Sequence, residues 1–229
     1  GGVTASDALA REVRLFREET GKPVITLINQ IGASGGYYVA AATDAIVARP
    51  TALTGSIGVI VTSFNLSALL EKYDVRYVPI KSAPHKDALS PFKPVQGDEV
   101  AWMQGIVDSM LDRFIDAVAQ GRPNLSRAQV EDLANGLVYL GEEARDLGLI
   151  DQVGYYQDAL GLLAERTGLK DPVVVEYLRP LNLGSMLGGL VASARRMTSP
   201  VGFHLFEELN RWSGPRPWYL WEAAVSAAY

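Results

Sequence analysis

Apolar residues recur every three to four positions in several stretches of the chain, which is the spacing of an amphipathic helix. The spacing predicts helices over residues 5–20, 66–73, 97–120, 142–147, 157–165 and 181–194. Gly21 and Pro23 end the first of them, and Gly121 ends the long central one. Ser126 and Gln129 stand three positions apart and predict a capping box at the start of one more helix.

Short runs rich in β-branched residues stand between these helices and predict buried strands. They cover residues 23–28, 45–48, 57–61, 76–80 and 173–175. Because the strands alternate with helices, the pattern indicates an α/β fold built on a parallel sheet. The aromatic tail from Trp212 to Tyr229 matches neither period, so no element is predicted there.

Composition excludes several classes of function. The 229 residues carry a net charge of −5 without a basic run, which argues against nucleic-acid binding. Cysteine is absent, so disulfides, thiol nucleophiles and cysteine-based zinc sites are excluded. No run of 18 apolar residues is present to span a bilayer as a helix. The chain opens with Gly1-Gly2 and not with Met, so we expect a fragment or a processed chain.

The candidate nucleophile is Ser34, which stands in a glycine-rich turn over residues 32–36. Glycines on both sides allow a sharp passage from strand to helix. The hydroxyl then lies at a helix N-terminus, beside unpaired N–H groups that can stabilise an oxyanion. The string also matches the G-x-S-x-G nucleophile elbow. Since a short glycine-serine string is more often only a turn, chemistry requires a base as well.

Histidine is the usual base for a serine nucleophile, and the chain contains His85 and His204. An acid such as Asp151 or Asp171 would complete a Ser-His-Asp triad with His204, as in an α/β-hydrolase esterase, in a permitted chain order. His85 lies in a loop, and the apolar surroundings of His204 suit a core or interface histidine better. The triad is therefore an alternative with little support.

Lysine is the other possible base. A working lysine must be neutral near pH 7, so its pKa must fall from about 10.4 to about 7, at a cost of roughly 4–5 kcal/mol. Lys81 and Lys86 stand in one short stretch and are the two candidates. Residue spacing does not choose between them, and a solvated loop charge is the commoner fate of lysine.

Several strings resemble, in order, the motifs of the signal peptide peptidase A family in its short single-domain form. They are residues 31–40 around the serine, 53–59, 81–91 around the lysines, 136–144 and 147–151. The resemblance runs from residue 1 to about residue 160. It implies that Ser34 is the nucleophile and Lys86 the general base, with Ser56 orienting the lysine amine. Duplicated members of the family place their lysine nearer Lys81, which keeps that residue as an alternative.

The resemblance also implies an oxyanion hole made of backbone N–H groups. One of them is the N–H after the nucleophile, which here belongs to Gly35. The other comes from a glycine loop, of which Gly1 or Gly2 is the matching position. The Asn-Ser-Pro part of that loop and the strands before it do not occur in this sequence.

The family shares the crotonase and Clp-protease fold, a stack of β-β-α units that assembles into rings. The resemblance implies a peptidase domain over residues 1–170, a C-terminal extension over 171–229 that serves oligomerisation or forms a tail, and no cofactor. It implies substrates that are hydrophobic peptides such as signal peptide remnants. It also implies attachment to the extracytoplasmic face of a bacterial membrane through an N-terminal anchor. A crotonase-like scaffold without activity is an alternative, which the presence of both Ser34 and Lys86 disfavours.

Overall fold

The computed structural model describes residues 1–170, 173–175 and 217–218. The helices are α1 (Val3–Thr20), α2 (Gly35–Ala40), α3 (Ser67–Lys72), α4 (Gly97–Gly121), α5 (Arg127–Leu133), α6 (Gly141–Asp146) and α7 (Tyr156–Thr167). The strands are β1 (Ile25–Ile28), β2 (Ile31–Ala33), β3 (Ala45–Ala48), β4 (Leu53–Gly55), β5 (Ile60–Val61), β6 (Val138–Leu140), β7 (Gln152–Val153) and β8 (Pro217–Trp218). The predicted helices up to residue 165 are confirmed, and the one predicted over 181–194 lies outside the described residues.

The described residues fall into two compact units. The first contains residues 1–62, 96–170 and 217–218, and the second contains residues 63–95 and 173–175. Ser34 and Ser56 belong to the first unit, whereas Lys81 and Lys86 belong to the second.

Two small sheets form the frame of the first unit. One has the order β1-β3-β7 with all strands parallel. The other has the order β2-β4-β6, in which β2 and β4 are parallel and β6 is antiparallel to β4. In the first two pairs, β1-β2 and β3-β4, the first strand thus joins one sheet and the second strand joins the other, whereas β6 and β7 join them in the reverse order. This alternation, with α2 between the pairs, confirms the predicted α/β stack of β-β-α units.

The core of the first unit surrounds α2. This helix contacts both α1 and α4 and buries Tyr37 and Tyr38 completely or almost so. The Tyr38 ring lies 5.1 Å from that of Phe114, centroid to centroid. At the end of α4, a Cβ on Gly121 would overlap the carbonyl group of Ala41. Glycine is therefore required for this close approach of two backbones.

An ion pair joins α1 to the loop before β3. Arg17 donates from Nε and Nη2 to the Asp44 carboxylate at 2.8 and 2.5 Å, and the Val24 N–H donates to the same carboxylate at 2.8 Å. Burial opposes ionisation of Asp44, but these hydrogen bonds outweigh it and lower the pKa of its carboxyl. Arg17 stands in the last turn of α1, where a cation also complements the helix dipole.

Few of the described residues of the second unit are buried. Between residues 63 and 95 the buried residues are Leu89 and Pro91, and most large apolar side chains are exposed. Its regular structure is α3 and a 3-10 turn over Pro84–Asp87. Among the described residues of the chain, no helix is both long enough and apolar enough to cross a membrane.

Three predicted strands are wrong in part or in whole. The segments 76–80 and 173–175 form no strand. In the first of them Pro79 lacks an N–H for a ladder, and every residue is exposed. The strand predicted over 57–61 lies mainly earlier, as β4, because Gly55 and Ser56 both take a positive φ that ends the extended conformation of the strand. Residues 60–61 alone remain extended, as β5.

Candidate active site

Ser34 occupies a strained turn between β2 and α2. Its φ is 54° and its ψ is −121°, a conformation that L residues rarely adopt. Two backbone hydrogen bonds hold the turn: the Ser34 N–H donates to the Gly55 carbonyl at 2.8 Å, and the Tyr38 N–H donates to the Ser34 carbonyl at 2.9 Å. The residue is 2% exposed. The structure therefore stabilises a locally unfavourable backbone at the predicted nucleophile.

Ser56 occupies a matching position on the neighbouring strand. It directly follows β4, as Ser34 directly follows β2, and β2 and β4 are parallel with Ala33 opposite Gly55. The φ of Ser56 is 51°, and its N–H donates to the Leu137 carbonyl at 2.6 Å. The two serines thus stand next to each other where two parallel strands end. Within the described residues, neither hydroxyl takes part in a hydrogen bond.

Gly35 begins α2 against the start of the chain. A Cβ at this position would lie 3.2 Å from the Gly1 nitrogen and 3.3 Å from the Gly1 Cα, and it would overlap Ser6 Oγ. Gly2 is the N-cap of α1, and its carbonyl accepts the Ser6 N–H at 3.0 Å. The absence of a side chain on Gly35 therefore lets the Gly1 backbone approach the residue after Ser34. The positions predicted for the oxyanion hole are brought together, with Gly1 nearest.

Lys86 stands in the 3-10 turn of the second unit, and its side chain is exposed. No hydrogen bond or ion pair of the described residues involves its amine. Lys81 differs in this respect, since its amine donates to the Pro84 carbonyl at 2.8 Å and to Asp87 Oδ1 at 2.6 Å. The hydrogen bond from Lys81 lowers the pKa of the Asp87 carboxyl, and Lys93, 3.1 Å away, acts in the same direction. Lys81 is thus engaged in holding the turn that carries Lys86.

The alternative triad lies only partly within the described residues. Asp151 Oδ2 accepts the Ile46 N–H at 2.7 Å and pairs with Arg122 Nη1 at 2.6 Å, so this carboxylate is bound in a structural network. His85 is exposed in the second unit, whereas Asp171 and His204 lie outside the described residues. In the part of the chain that the structure describes, no group of acidic and histidine side chains could hold a metal ion.

Sequence reasoning missed the support that residues 135–151 give to both serine turns. The Leu137 carbonyl binds Ser56, as described above, and the Leu149 carbonyl accepts the Tyr37 hydroxyl of α2 at 2.7 Å. Burial raises the pKa of that hydroxyl, which therefore stays protonated as a donor. These residues belong to the sequence motifs at 136–144 and 147–151, but a backbone carbonyl leaves no signal in residue type.

The chain is similar to several known proteins. A candidate signal peptide peptidase SppA of Enterococcus faecium is 37% identical over 224 residues, which make up 96% of this chain and 64% of that protein. A candidate protease of Methanocaldococcus jannaschii is 36% identical over 77% of this chain and 56% of its own length. The solved structure of a membrane-bound stomatin-specific protease has a TM-score of 0.44 and 16% identity, with 75% of each chain covered.

The chain spans less than two thirds of the length of the two sequence relatives. The model of peptidase family S49 matches residues 17–170, which is more than half of the chain and includes both serines and both candidate lysines. The family expected from the sequence motifs is confirmed by this match and by the relatives' names. The chain therefore belongs to peptidase family S49.

Proposed function

We propose that this chain is a serine endopeptidase that cleaves hydrophobic peptides, with Ser34 as nucleophile and Lys86 as general base. The observation that carries the proposal is the pair of strained turns at Ser34 and Ser56, side by side at the ends of β2 and β4. Strained backbone at a serine costs roughly 1–3 kcal/mol and is typical of active sites. Because the chain belongs to a peptidase family, we interpret the two strained turns as parts of its active site.

The proposed reaction is acyl transfer in two steps. Lys86 takes the proton from Ser34 Oγ, which attacks the carbonyl carbon of the scissile bond. The negative charge formed on the substrate oxygen is stabilised by the N–H of Gly35 and by an N–H of the Gly1-Gly2 stretch. Lys86 then returns the proton to the leaving amine, and the peptide C–N bond breaks. Water hydrolyses the resulting ester by the same route, with Lys86 again as base.

Ser56 is proposed to orient the lysine amine. Its hydroxyl makes no hydrogen bond within the described residues, although the residue is only 7% exposed. This hydroxyl is therefore available to accept a hydrogen bond from an amine or to donate one to it. Lys86 suits this role better than Lys81, because the Lys81 amine would first have to leave Asp87 and the Pro84 carbonyl.

Single and double alanine variants of the dyad test the proposal. Ser34→Ala and Lys86→Ala should each lower kcat by several orders of magnitude, with no further loss in the double variant, because the two residues act as one unit. Lys81→Ala is the matched control and should keep most of the activity. Circular dichroism checks that each variant is folded. Full activity of Lys86→Ala together with loss in Lys81→Ala would move the base to Lys81.

A pH profile gives an independent test of a lysine base. The lysine must lose its proton before it can accept one from Ser34, so kcat/KM should rise with pH through one ionisation. A fluorophosphonate should label the active enzyme, and mass spectrometry should locate the label on Ser34 with the same pH dependence. A flat profile from pH 6 to 10, with chemistry shown to be rate-limiting, would contradict the mechanism.

The substrates are proposed to be signal peptide remnants and other hydrophobic peptides, handled at the extracytoplasmic face of a bacterial membrane. The name of the Enterococcus faecium relative supports this substrate class. A peptide library should show preference for small or aliphatic residues at the cleavage site. Preference for a charged residue next to the scissile bond would refute this part of the proposal.

Assembly into a closed ring is also proposed, with the aromatic tail as a contact. Residues 219–221 of the tail lie outside the described residues, but β8 at Pro217–Trp218 pairs antiparallel with β5. Ile60 stands opposite Trp218, and Val61 opposite Pro217. Because both strands belong to one chain, this pairing folds Pro217–Trp218 back on its own unit, and the proposed contact with a neighbouring subunit is left to the rest of the tail.

A further inference from the structure

The loop between α5 and β6 surrounds the turn of Ser56. The Leu137 carbonyl accepts the Ser56 N–H at 2.6 Å, and the Gly136 N–H donates to the Ile57 carbonyl at 3.0 Å. A Cβ placed on Gly58 would lie 3.4 Å from the Gly136 Cα. The antiparallel ladder of β4 and β6 thus continues past the end of β4, through the residue whose φ is positive. The backbone conformation of Ser56 is fixed from this loop.

One side chain shapes the loop itself. Asn135 Oδ1 accepts the Leu137 N–H at 2.9 Å, which fixes the course of the chain through Gly136, whose φ is 78°. The amide of Asn135 also lies 3.3 Å from the Tyr139 hydroxyl. The Tyr139 ring covers Gly55, where an added Cβ would meet Tyr139 Cδ2 at 2.7 Å. Asn135 therefore contacts both residues that fix the Ser56 turn: Leu137, which accepts the Ser56 N–H, and Tyr139, which packs on the preceding Gly55.

The arrangement favours a positioning role over a purely structural one. Asn135 is exposed and is not one of the residues of the hydrophobic core. Its hydrogen bonds all lie within a few residues of the loop, so the fold gains little from them. Their effect is concentrated on the Leu137 peptide plane and, through it, on the direction of Ser56 Oγ.

We propose that Asn135 is a positioning residue that sets the direction of Ser56 Oγ through the Leu137 carbonyl and the Tyr139 ring. The inference rests on the proposed function of Ser56 as the residue that orients the lysine base. It assigns a role to the sequence motif at 136–144, which holds the lysine-orienting serine without touching substrate. Loss of Asn135 should therefore slow the chemical step and leave peptide binding unchanged.

The experiment compares Asn135→Ala with a conservative and a matched control variant in the full chain. Asn135→Ala should lower kcat about tenfold with KM unchanged, since the hydrogen bond that fixes the Leu137 peptide is lost together with the weaker one to Tyr139. Asn135→Asp keeps an oxygen that accepts the Leu137 N–H and should restore most of the activity. Asn124→Ala removes a comparable hydrogen bond, from an exposed amide to the Gly148 carbonyl at 3.1 Å, and should keep wild-type kcat. Melting temperatures of the two alanine variants should agree.

A double variant separates positioning from general damage. In a Ser56→Ala background, Asn135→Ala should have no further effect on the rate at which a fluorophosphonate labels Ser34. An equal loss in both backgrounds, or a wild-type kcat for Asn135→Ala while Ser56→Ala is impaired, would overturn the inference alone. Wild-type kcat in Ser56→Ala would overturn the proposed role of Ser56, and the inference would fall with it.

Discussion

The substitution Gly35→Ala should affect the proposed oxyanion hole more strongly than it affects the stability of the fold. The new Cβ would lie 3.2 Å from the Gly1 nitrogen and 3.3 Å from its Cα, and would overlap Ser6 Oγ. Overpacking of this kind costs about 1–3 kcal/mol, and the better helix propensity of Ala returns up to about 1 kcal/mol. We expect Gly35→Ala to lower the free energy of unfolding by about 1–2 kcal/mol.

The effect on activity should be larger than the effect on stability. The methyl group displaces the Gly1 backbone from Gly35, and the proposed oxyanion hole needs both. Loss of one such donor typically lowers kcat by about 10²–10³-fold. Adding Ser6→Ala removes the Oγ that the methyl meets, so it should recover stability. It should not recover kcat, because the Gly1 backbone remains in the way.

Gly36→Ala is the matched control, one residue further along the same helix. No atom lies within 4 Å of a Cβ at Gly36, so this variant should keep wild-type kcat and gain up to about 1 kcal/mol of stability. Urea denaturation measures the stabilities, and hydrolysis of an aliphatic peptide ester measures kcat. Wild-type kcat in Gly35→Ala, or equal loss of stability in the two variants, would refute the reasoning.

Other parts of the chain can be tested as directly. Gly121→Ala should destabilise the first unit by about 3 kcal/mol in urea denaturation, because the new Cβ would overlap the Ala41 carbonyl. The control is Gly105→Ala, where a Cβ has no neighbour within 4 Å, and it should stabilise α4 by up to about 1 kcal/mol. Equal effects of the two substitutions would exclude the backbone contact as the cause. Asp44→Asn should lose about 1–3 kcal/mol at pH 7, because hydrogen bonds to a charged group are lost. Since the pKa of Asp44 is lowered in the folded state, its contribution is present above the unfolded pKa of about 3.9. It disappears as pH falls through the folded value, so the difference between variant and wild type should close below about pH 4, and a difference that is constant with pH would contradict this. A chain ending at Gly214 lacks β8 and should form a smaller assembly in light scattering; an unchanged ring would refute the tail contact.

The fold was predictable wherever a long periodic pattern determined it. The helix of the central stretch and the capping box of Ser126 and Gln129 are confirmed, since both depend on neighbours in sequence. The short strands were harder to predict. β2 has three residues and contains Gly32, and its existence depends on pairing with β4. Nothing local distinguishes such a segment from a turn.

The candidate site could be predicted only in its residue types. The glycines around Ser34 predict a tight turn, and the structure has a positive φ at Ser34 in such a turn. The role of Ser56 came from the family resemblance alone, and its strained turn was not predicted. Its proximity to Ser34 depends on the register of β2 against β4, which a sequence does not display. The loop with Asn135 and Leu137 fixes Ser56 through a hydrogen bond from the Ser56 N–H to the Leu137 carbonyl. The two residues stand about 80 positions apart, and a backbone carbonyl is the same in every residue type, so the sequence does not reveal this contact.

The small number of buried side chains between residues 63 and 95 has a consequence for how this protein is handled. Calorimetric unfolding reports the surface that becomes exposed, and residues 63–95 bury only Leu89 and Pro91. Local opening of such a segment has a small free energy, so its amides should exchange with deuterium long before the first unit unfolds. A preparation can therefore lose the segment that carries Lys86 to a contaminating protease and still melt at the normal temperature. For this protein, a sharp thermal transition shows that the first unit is folded, but it does not show that the segment with Lys86 is intact.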